Sequence, residues 1–342
     1  MKNGKSSTKY PLLEIIVPHY KEPWTTVEKF FSILDIQRGT DFSQFRVILV
    51  NDGEENAFPA KNFSSHPYKV TQISIPHAGV SAARNAGLRK AEAEWVMFCD
   101  CDDMFFHPYA MMDILNVLPA KEADLLWSDI FIEDTRHFAA TVIQKKGMNT
   151  VFIHGKLYRR KFLIDNDIWF DETVPYCEDS LFNSFAYTIV DEHRIGRIAT
   201  QVPTYVWCDV DGSVTNTSDT KTHAHEYIYY RNRKICDLYK RKRPYDEYCC
   251  MIARTIIDCY FSLNVPQLSE SAKEMKKHFR GWYLERKKEW EKVPYETLKI
   301  IKEKSRNSLH PLPPDLIESI SVTQWLKSLE NEAETESVKE EI

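Results

Sequence analysis

Four short runs of β-branched and large apolar residues, spaced by segments of helical period and each followed closely by polar residues, restrict this chain to few folds. Leu12-Leu13-Glu14-Ile15-Ile16-Val17 reads as a strand stopped by Pro18, and Trp24 to Leu34 has the spacing of an amphipathic helix. Phe45 to Val50 is a second strand that ends in Asn51-Asp52-Gly53, and Lys69 to Ile75 is a third. Val80 to Ala93, rich in Ala and Leu, reads as a helix leading into a fourth strand before Asp100. The rhythm predicts an α/β fold with a mostly parallel sheet covered by helices. Ligands of such sheets bind beyond the carboxyl ends of the strands. Pro18-His19-Tyr20, Asp52-Gly53 and Asp100 to Asp103 each follow a strand end, so three polar clusters are expected on one crevice.

Trp95 to Asp103 is the most chemically pointed of these runs, an apolar strand that ends in three carboxylates within four positions. Hard divalent cations take oxygen ligands, and clustered carboxylates repel unless something neutralises them. Alone, such a cluster is also compatible with a solvated acidic turn. A second acidic pair, Glu178-Asp179, opens an amphipathic stretch, Ser180 to Val190, where dipole and capping effects by themselves favour acids.

With 342 residues, 43% of them hydrophobic, the chain can bury a large core and an appended unit. A net charge of −5 offers no global attraction to nucleic acid, and no RNA-binding signature is present. The eight cysteines form no CxxC pair and no zinc spacing, which predicts reduced thiols and a cytoplasmic protein. The polar start lacks a signal-peptide core, and no apolar run is long enough to cross a bilayer.

Beyond about Asp124 the pattern loosens into shorter segments. From about Thr222 it turns helical, with Tyr227 to Tyr239, Tyr245 to Leu263 and Ala272 to Trp290 as long candidates separated by prolines. The tail after Asn331 reads as frayed. Lys240-Arg241-Lys242-Arg243 beside Tyr227, Tyr229, Tyr230 and Tyr239 invites a peripheral membrane contact, although a solvated helix terminus explains the run more simply. The helical region could dock on the first domain, bind acceptor or pair with a second copy, and no residue chooses among these.

Ile15 to Tyr20, Val47 to Gly53, His77 to Leu88 and the strand into Asp100-Cys101-Asp102-Asp103, taken in order, resemble the signature of the family 2 glycosyltransferases, which have a GT-A fold. The resemblance covers the chain to about Thr215. It implies a catalytic domain over 1–218, with a nucleotide-binding part at about 10–125 and an acceptor-binding part at about 126–218, followed by a helical region over 219–342. It implies a nucleotide-sugar donor, UDP-linked by expectation, bound by Pro18, Tyr20, Asp52, His77, Arg84, Asp100, Lys156 and Ser213. Asp102, with Asp100, would hold Mn²⁺ or Mg²⁺ on the donor diphosphate, and His223 or His225 is a candidate third ligand. Asp103 would orient its neighbours. Asp179 would be the general base, with Glu178 supporting it or binding acceptor, in an inverting transfer to a glycan, teichoic-acid or lipid-linked hydroxyl for cell-surface polysaccharide. The Gly212-Ser213 loop would be a mobile lid.

Two other readings stand beside this one. Asp-x-Asp after an apolar strand also begins haloacid dehalogenase-type phosphatases, with Asp100 as nucleophile, but that fold places the motif on its first strand, and here several strands precede it. A non-catalytic sugar-nucleotide or glycan-binding module would keep the fold and lose the base, whereas metal acids and Asp179 are both present.

Overall fold

The computed structural model describes residues 11–120, 122–134, 141–174, 177–209, 218–264, 270–308 and 321–340. The chain separates into two compact units, Met1–Ser213 and Val214–Ile342. The first follows the order β1 (Leu13–His19), α1 (Trp24–Asp35), β2 (Phe45–Asp52), β3 (Lys69–Ile75), α2 (Val80–Lys90), β4 (Trp95–Phe98), β5 (Met104–Phe105) and α3 (Ala110–Val117). It continues through β6 (Leu125–Trp127), β7 (Ile130–Asp134), β8 (Thr141–Lys145), β9 (Lys156–Arg159), α4 (Arg160–Asp165), α5 (Glu178–Ile189), β10 (Ile195–Arg197) and β11 (Tyr205–Trp207).

Seven strands form the main sheet in the order β10-β6-β9-β4-β1-β2-β3. β4, β1, β2 and β3 are mutually parallel, whereas β9 is antiparallel to both its neighbours. The GT-A-like arrangement of a mostly parallel sheet flanked by helices is therefore present. Side-chain alternation divides the core: Leu13, Ile15 and Val17 pack in one cluster with Phe30 and Phe31 of α1, while Ile16 packs in another with Ala83 of α2 and Phe182 of α5. Both faces are buried, which explains why these strands read as unbroken apolar runs. Gly87 lets α2 lie close on the sheet, since a Cβ there would stand 2.3 Å from Ile16 Cγ2. A smaller sheet, β5-β11-β7-β8, stands beside the acidic turn.

Pro18 does not stop β1, which runs on to His19. Its missing N–H costs nothing because pairing with β4 has already ended at Ile16–Phe98, while pairing with β2 continues through Pro18–Val50 and His19–Asn51.

The second unit is helical among its described residues: α6 (Ser218–Lys242), α7 (Tyr245–Leu263), α8 (Glu270–Glu291), α9 (Tyr295–Ser308) and α10 (Val322–Glu340). Tyr229, Ile252, Ile256, Phe279, Trp325 and Leu329 belong to its core. The tail read as frayed is instead the second half of α10. Buried Trp325, Leu326 and Leu329 anchor its first turns, and the Glu, Ala and Lys residues beyond them are strong helix formers that propagate a helix once started. No helix among the described residues is long and apolar enough to cross a membrane. None of the eight cysteines forms a disulfide.

Candidate active site

The carboxyl ends of β1, β2 and β4 share one edge of the sheet, as parallel pairing requires, and the three polar clusters follow them there. Arg84, on the small-residue helix α2, is the hub. Its Nη2 donates to Asp100 Oδ1 at 2.9 Å, and its Nη1 donates to Glu178 Oε1 at 3.0 Å and Asp179 Oδ1 at 2.6 Å. Acids separated by nearly eighty residues thus meet on one planar guanidinium, whose fork suits several carboxylates where an ammonium would reach fewer. The Arg84 side chain is only 3% exposed. Burial opposes its charge, yet Asp179, Asp100 and Glu178 together hold it firmly protonated.

Asp100 is tied on its other side to His154, whose Nε2 lies 3.1 Å from Asp100 Oδ2 and 3.3 Å from Asp103 Oδ2. Burial works against an imidazolium, but Asp103 and Asp100 outweigh it and push His154 up to about 9. Burial likewise opposes charge on Asp100, while Arg84 and His154 hold its carboxyl below the ordinary range. Asp103 accepts from Tyr205 Oη at 2.9 Å and from the Cys208 N–H at 2.8 Å, so it ties β11 to the acidic turn from a buried position. Gly155 sets this segment: its φ is +67°, and a Cβ there would stand 2.4 Å from Ile130 Cγ2.

Ligand atoms of Asp100, Asp103 and His154 lie within 4.8 Å of one another. Asp103 is buried and committed to Tyr205 and Cys208, whereas Asp100, although Arg84 and His154 each engage one of its oxygens, and Asp102 are only partly buried and are the more accessible hard oxygen donors of the turn. Burial, and then the charge of Asp100, push Asp102 up to about 6. A carboxylate crowded in this way by its own kind is suited to a divalent cation, so these residues fit a metal on a donor-set argument. Burial and the adjacent Asp179 similarly push Glu178 up to about 7.

The other expected ligand residues fall into distinct settings. Tyr20 and His77 stack with centroids 4.0 Å apart and planes 7° from parallel, and His77 Nδ1 lies 2.8 Å from Asp52 Oδ2. Asp52 is nearly buried, and its two oxygens accept from the Ala78 N–H at 2.7 Å and the Gly79 N–H at 2.9 Å. Its first role is to hold the turn that starts α2. Arg84, expected to contact the nucleotide, serves here as counter-ion to three acids. Lys156, expected in the donor pocket, is 1% exposed, with Nζ donating to the Phe152 carbonyl and to Asn149 Oδ1 at 3.5 Å. Burial lowers it to about 8. Ser213 lies outside the described residues, as do the side chains of His223 and His225 on α6. Sequence reasoning gave no role to Asn183, which is fully buried and bonded to Tyr158 Oη at 2.6 Å and to the Phe152 carbonyl at 2.9 Å. An Asn four residues after Asp179, and so on the same helix face as the expected base, is the available signal.

Comparison with known proteins adds the family. Residues 14–170 match the model of glycosyl transferase family 2. The likeness to this family therefore spans a little under half of the chain, the part that holds the parallel strands and the acidic turn. The chain is 26% identical over 188 residues, 51% of its length, to the poly(ribitol-phosphate) β-N-acetylglucosaminyltransferase TarS of Staphylococcus aureus strain Mu50, covering 32% of that protein. It is 26% identical over 208 residues, 55% of the chain, to the minor teichoic acid biosynthesis protein GgaA of Bacillus subtilis strain 168, covering 45% of that relative. The chain thus spans half or less of each of these relatives. The crystal structure of S. aureus TarS 1–349 superposes with a TM-score of 0.58 at 17% identity, covering 88% of this chain and 93% of that one, a likeness of fold.

Proposed function

We propose that this chain is a metal-dependent, inverting family 2 glycosyltransferase that moves a sugar from a UDP-sugar to a hydroxyl of a wall-polymer, teichoic-acid or lipid-linked acceptor. The observation that carries the reading is the meeting of Asp100 with Glu178 and Asp179 on Arg84, at 2.6 to 3.0 Å, beyond the carboxyl ends of the parallel strands. One place then holds groups for both halves of the reaction, leaving-group stabilisation and proton removal.

Asp179 takes the proton of the acceptor hydroxyl, whose oxygen bonds to the anomeric carbon as the carbon–oxygen bond to the diphosphate breaks and the diphosphate keeps the electron pair. Base and leaving group lie on opposite faces of the sugar, so configuration inverts in one displacement. Burial and the neighbouring Asp179 push Glu178 up to about 7, so Glu178 holds its proton more tightly than an ordinary glutamate does. Asp179 Oδ1 is fixed by Arg84 and Oδ2 by the Ile153 N–H at 3.2 Å, and a carboxylate so held still has lone pairs for the acceptor. A divalent cation on Asp102 and Asp100 would supply Lewis-acid stabilisation of the leaving diphosphate. The Tyr20–His77 stack offers an aromatic face to the base of the donor. The names of the curated relatives support a wall-polymer acceptor.

The test is a panel of UDP-, GDP- and dTDP-sugars with Mn²⁺, read by thermal shift and then by donor hydrolysis. A UDP-sugar at a hundredfold its Kd should stabilise by about 2.7 kcal/mol. A shift with GDP-mannose alone overturns the UDP assignment, and full turnover by Asp179→Asn overturns the base. Tight binding with no turnover of any donor would favour the non-catalytic module.

A further inference from the structure

The Phe152–Ile153 peptide group stands between a buried ammonium and the base. Its N–H, on Ile153, donates to Asp179 Oδ2 at 3.2 Å. Its C=O, on Phe152, accepts from Lys156 Nζ and from Asn183 Nδ2, the latter at 2.9 Å. A peptide group is planar, so fixing the direction of the carbonyl also fixes the direction of the N–H. A cation on the carbonyl oxygen further polarises the amide and strengthens its N–H as a donor. Asn183 is oriented in turn by Tyr158 Oη at 2.6 Å, and Tyr158 is two residues from Lys156 on β9, on the same strand face. Asn149 Oδ1 closes the approach by accepting from the Val151 and Phe152 N–H groups at 3.2 and 3.0 Å.

We propose that Lys156 is a positioning residue for the general base: from its buried site it locks the Phe152–Ile153 peptide, and through that peptide's N–H it holds the Asp179 carboxylate in its reactive orientation. The proposal rests on the reading of Asp179 as base. It explains why a lysine is kept at 1% exposure with only uncharged oxygens, Phe152 O and Asn149 Oδ1, as its hydrogen-bond partners. Lys156 makes no direct ion pair, its charge being felt by Asp179 only across the intervening peptide, and a Met of similar length fills the site, so Lys156→Met is expected to fold.

The experiment is a double-mutant cycle on the full chain, with the nucleotide-sugar of the panel that the wild type hydrolyses fastest, in Mn²⁺. Lys156→Met should lower kcat by about 10- to 100-fold, the loss typical of a misplaced catalytic group, and leave the donor KM within about twofold. In an Asp179→Asn background the same substitution should lower the residual rate no further. Asn183→Leu, which releases the same carbonyl while leaving Lys156 in place, should reproduce the kcat loss. Amide hydrogen exchange supplies a readout that needs no turnover: the Ile153 N–H should be protected in the wild type and exchange at least tenfold faster in Lys156→Met. Equal loss of rate in both backgrounds, a rise in KM with kcat intact, or unchanged Ile153 exchange each overturns the proposal. Wild-type turnover by Asp179→Asn defeats the base assignment instead, and the exchange measurement tells that failure from failure of the Lys156 link.

Discussion

Replacing Arg84 by Met would leave Asp100, Glu178 and Asp179 facing one another without their common counter-ion. Their distances to the guanidinium are 2.6 to 3.0 Å, and the Arg84 side chain is 3% exposed. Removing one partner of a buried ion pair costs about 3–5 kcal/mol, because the remaining charge is stranded rather than because the pair itself is worth that much. The three carboxylates are 28%, 16% and 19% exposed and can recruit water or protons, and Asp100 keeps His154. The low end, about 3 kcal/mol, is therefore expected, equivalent to roughly 6–12 °C in the midpoint of a domain of this size. Arg84→Lys restores the charge as a point and not a fork, so it should recover about half the deficit. Differential scanning calorimetry in chelator measures both variants. A midpoint for Arg84→Met within about 2 °C of wild type, less than 1 kcal/mol, would refute the hub argument.

Three further outcomes follow from the same geometry. Glu178, pushed up to about 7 by burial and by Asp179, binds more protons folded than unfolded between pH 4.5 and 7, so it makes stability fall as pH rises through that window; Glu178→Gln should flatten the fall in urea titrations run in EDTA. Gly155→Ala combines a φ of +67° with a 2.4 Å approach to Ile130 Cγ2 and should cost about 2–4 kcal/mol, whereas a change below 0.5 kcal/mol would show that the turn relaxes freely. Asp102→Asn should raise the Mn²⁺ concentration needed for half-maximal donor hydrolysis about tenfold or more with little change in melting temperature, while Asp103→Asn, which disturbs Tyr205, Cys208 and His154, should act chiefly on melting temperature.

Much of the first unit was legible because its strands are buried on both faces and its helices have clear periods. Trp24 to Leu34 and Tyr245 to Leu263 were placed within a residue of α1 and α7. Features governed by contacts remote in sequence were not legible. Pro18 reads as a breaker until β4 is known to be too short to need its N–H. Asp52 reads as a base-binding acid, and nothing local in the chain says that its oxygens also accept from the Ala78 and Gly79 amides. The tail reads as frayed from its charges alone, because Trp325 and Leu329 stabilise it only through packing within the second unit.

Strand period, turn chemistry and the order of the polar clusters are local properties, and the linear chain alone was enough to bring Tyr20, Asp52 and Asp100 to one edge of a parallel sheet. Which acids share a counter-ion, which lysine points inward and which peptide holds Asp179 were decided by folding. Each depends on groups well separated in sequence meeting within 3.5 Å, and no local pattern encodes that distance.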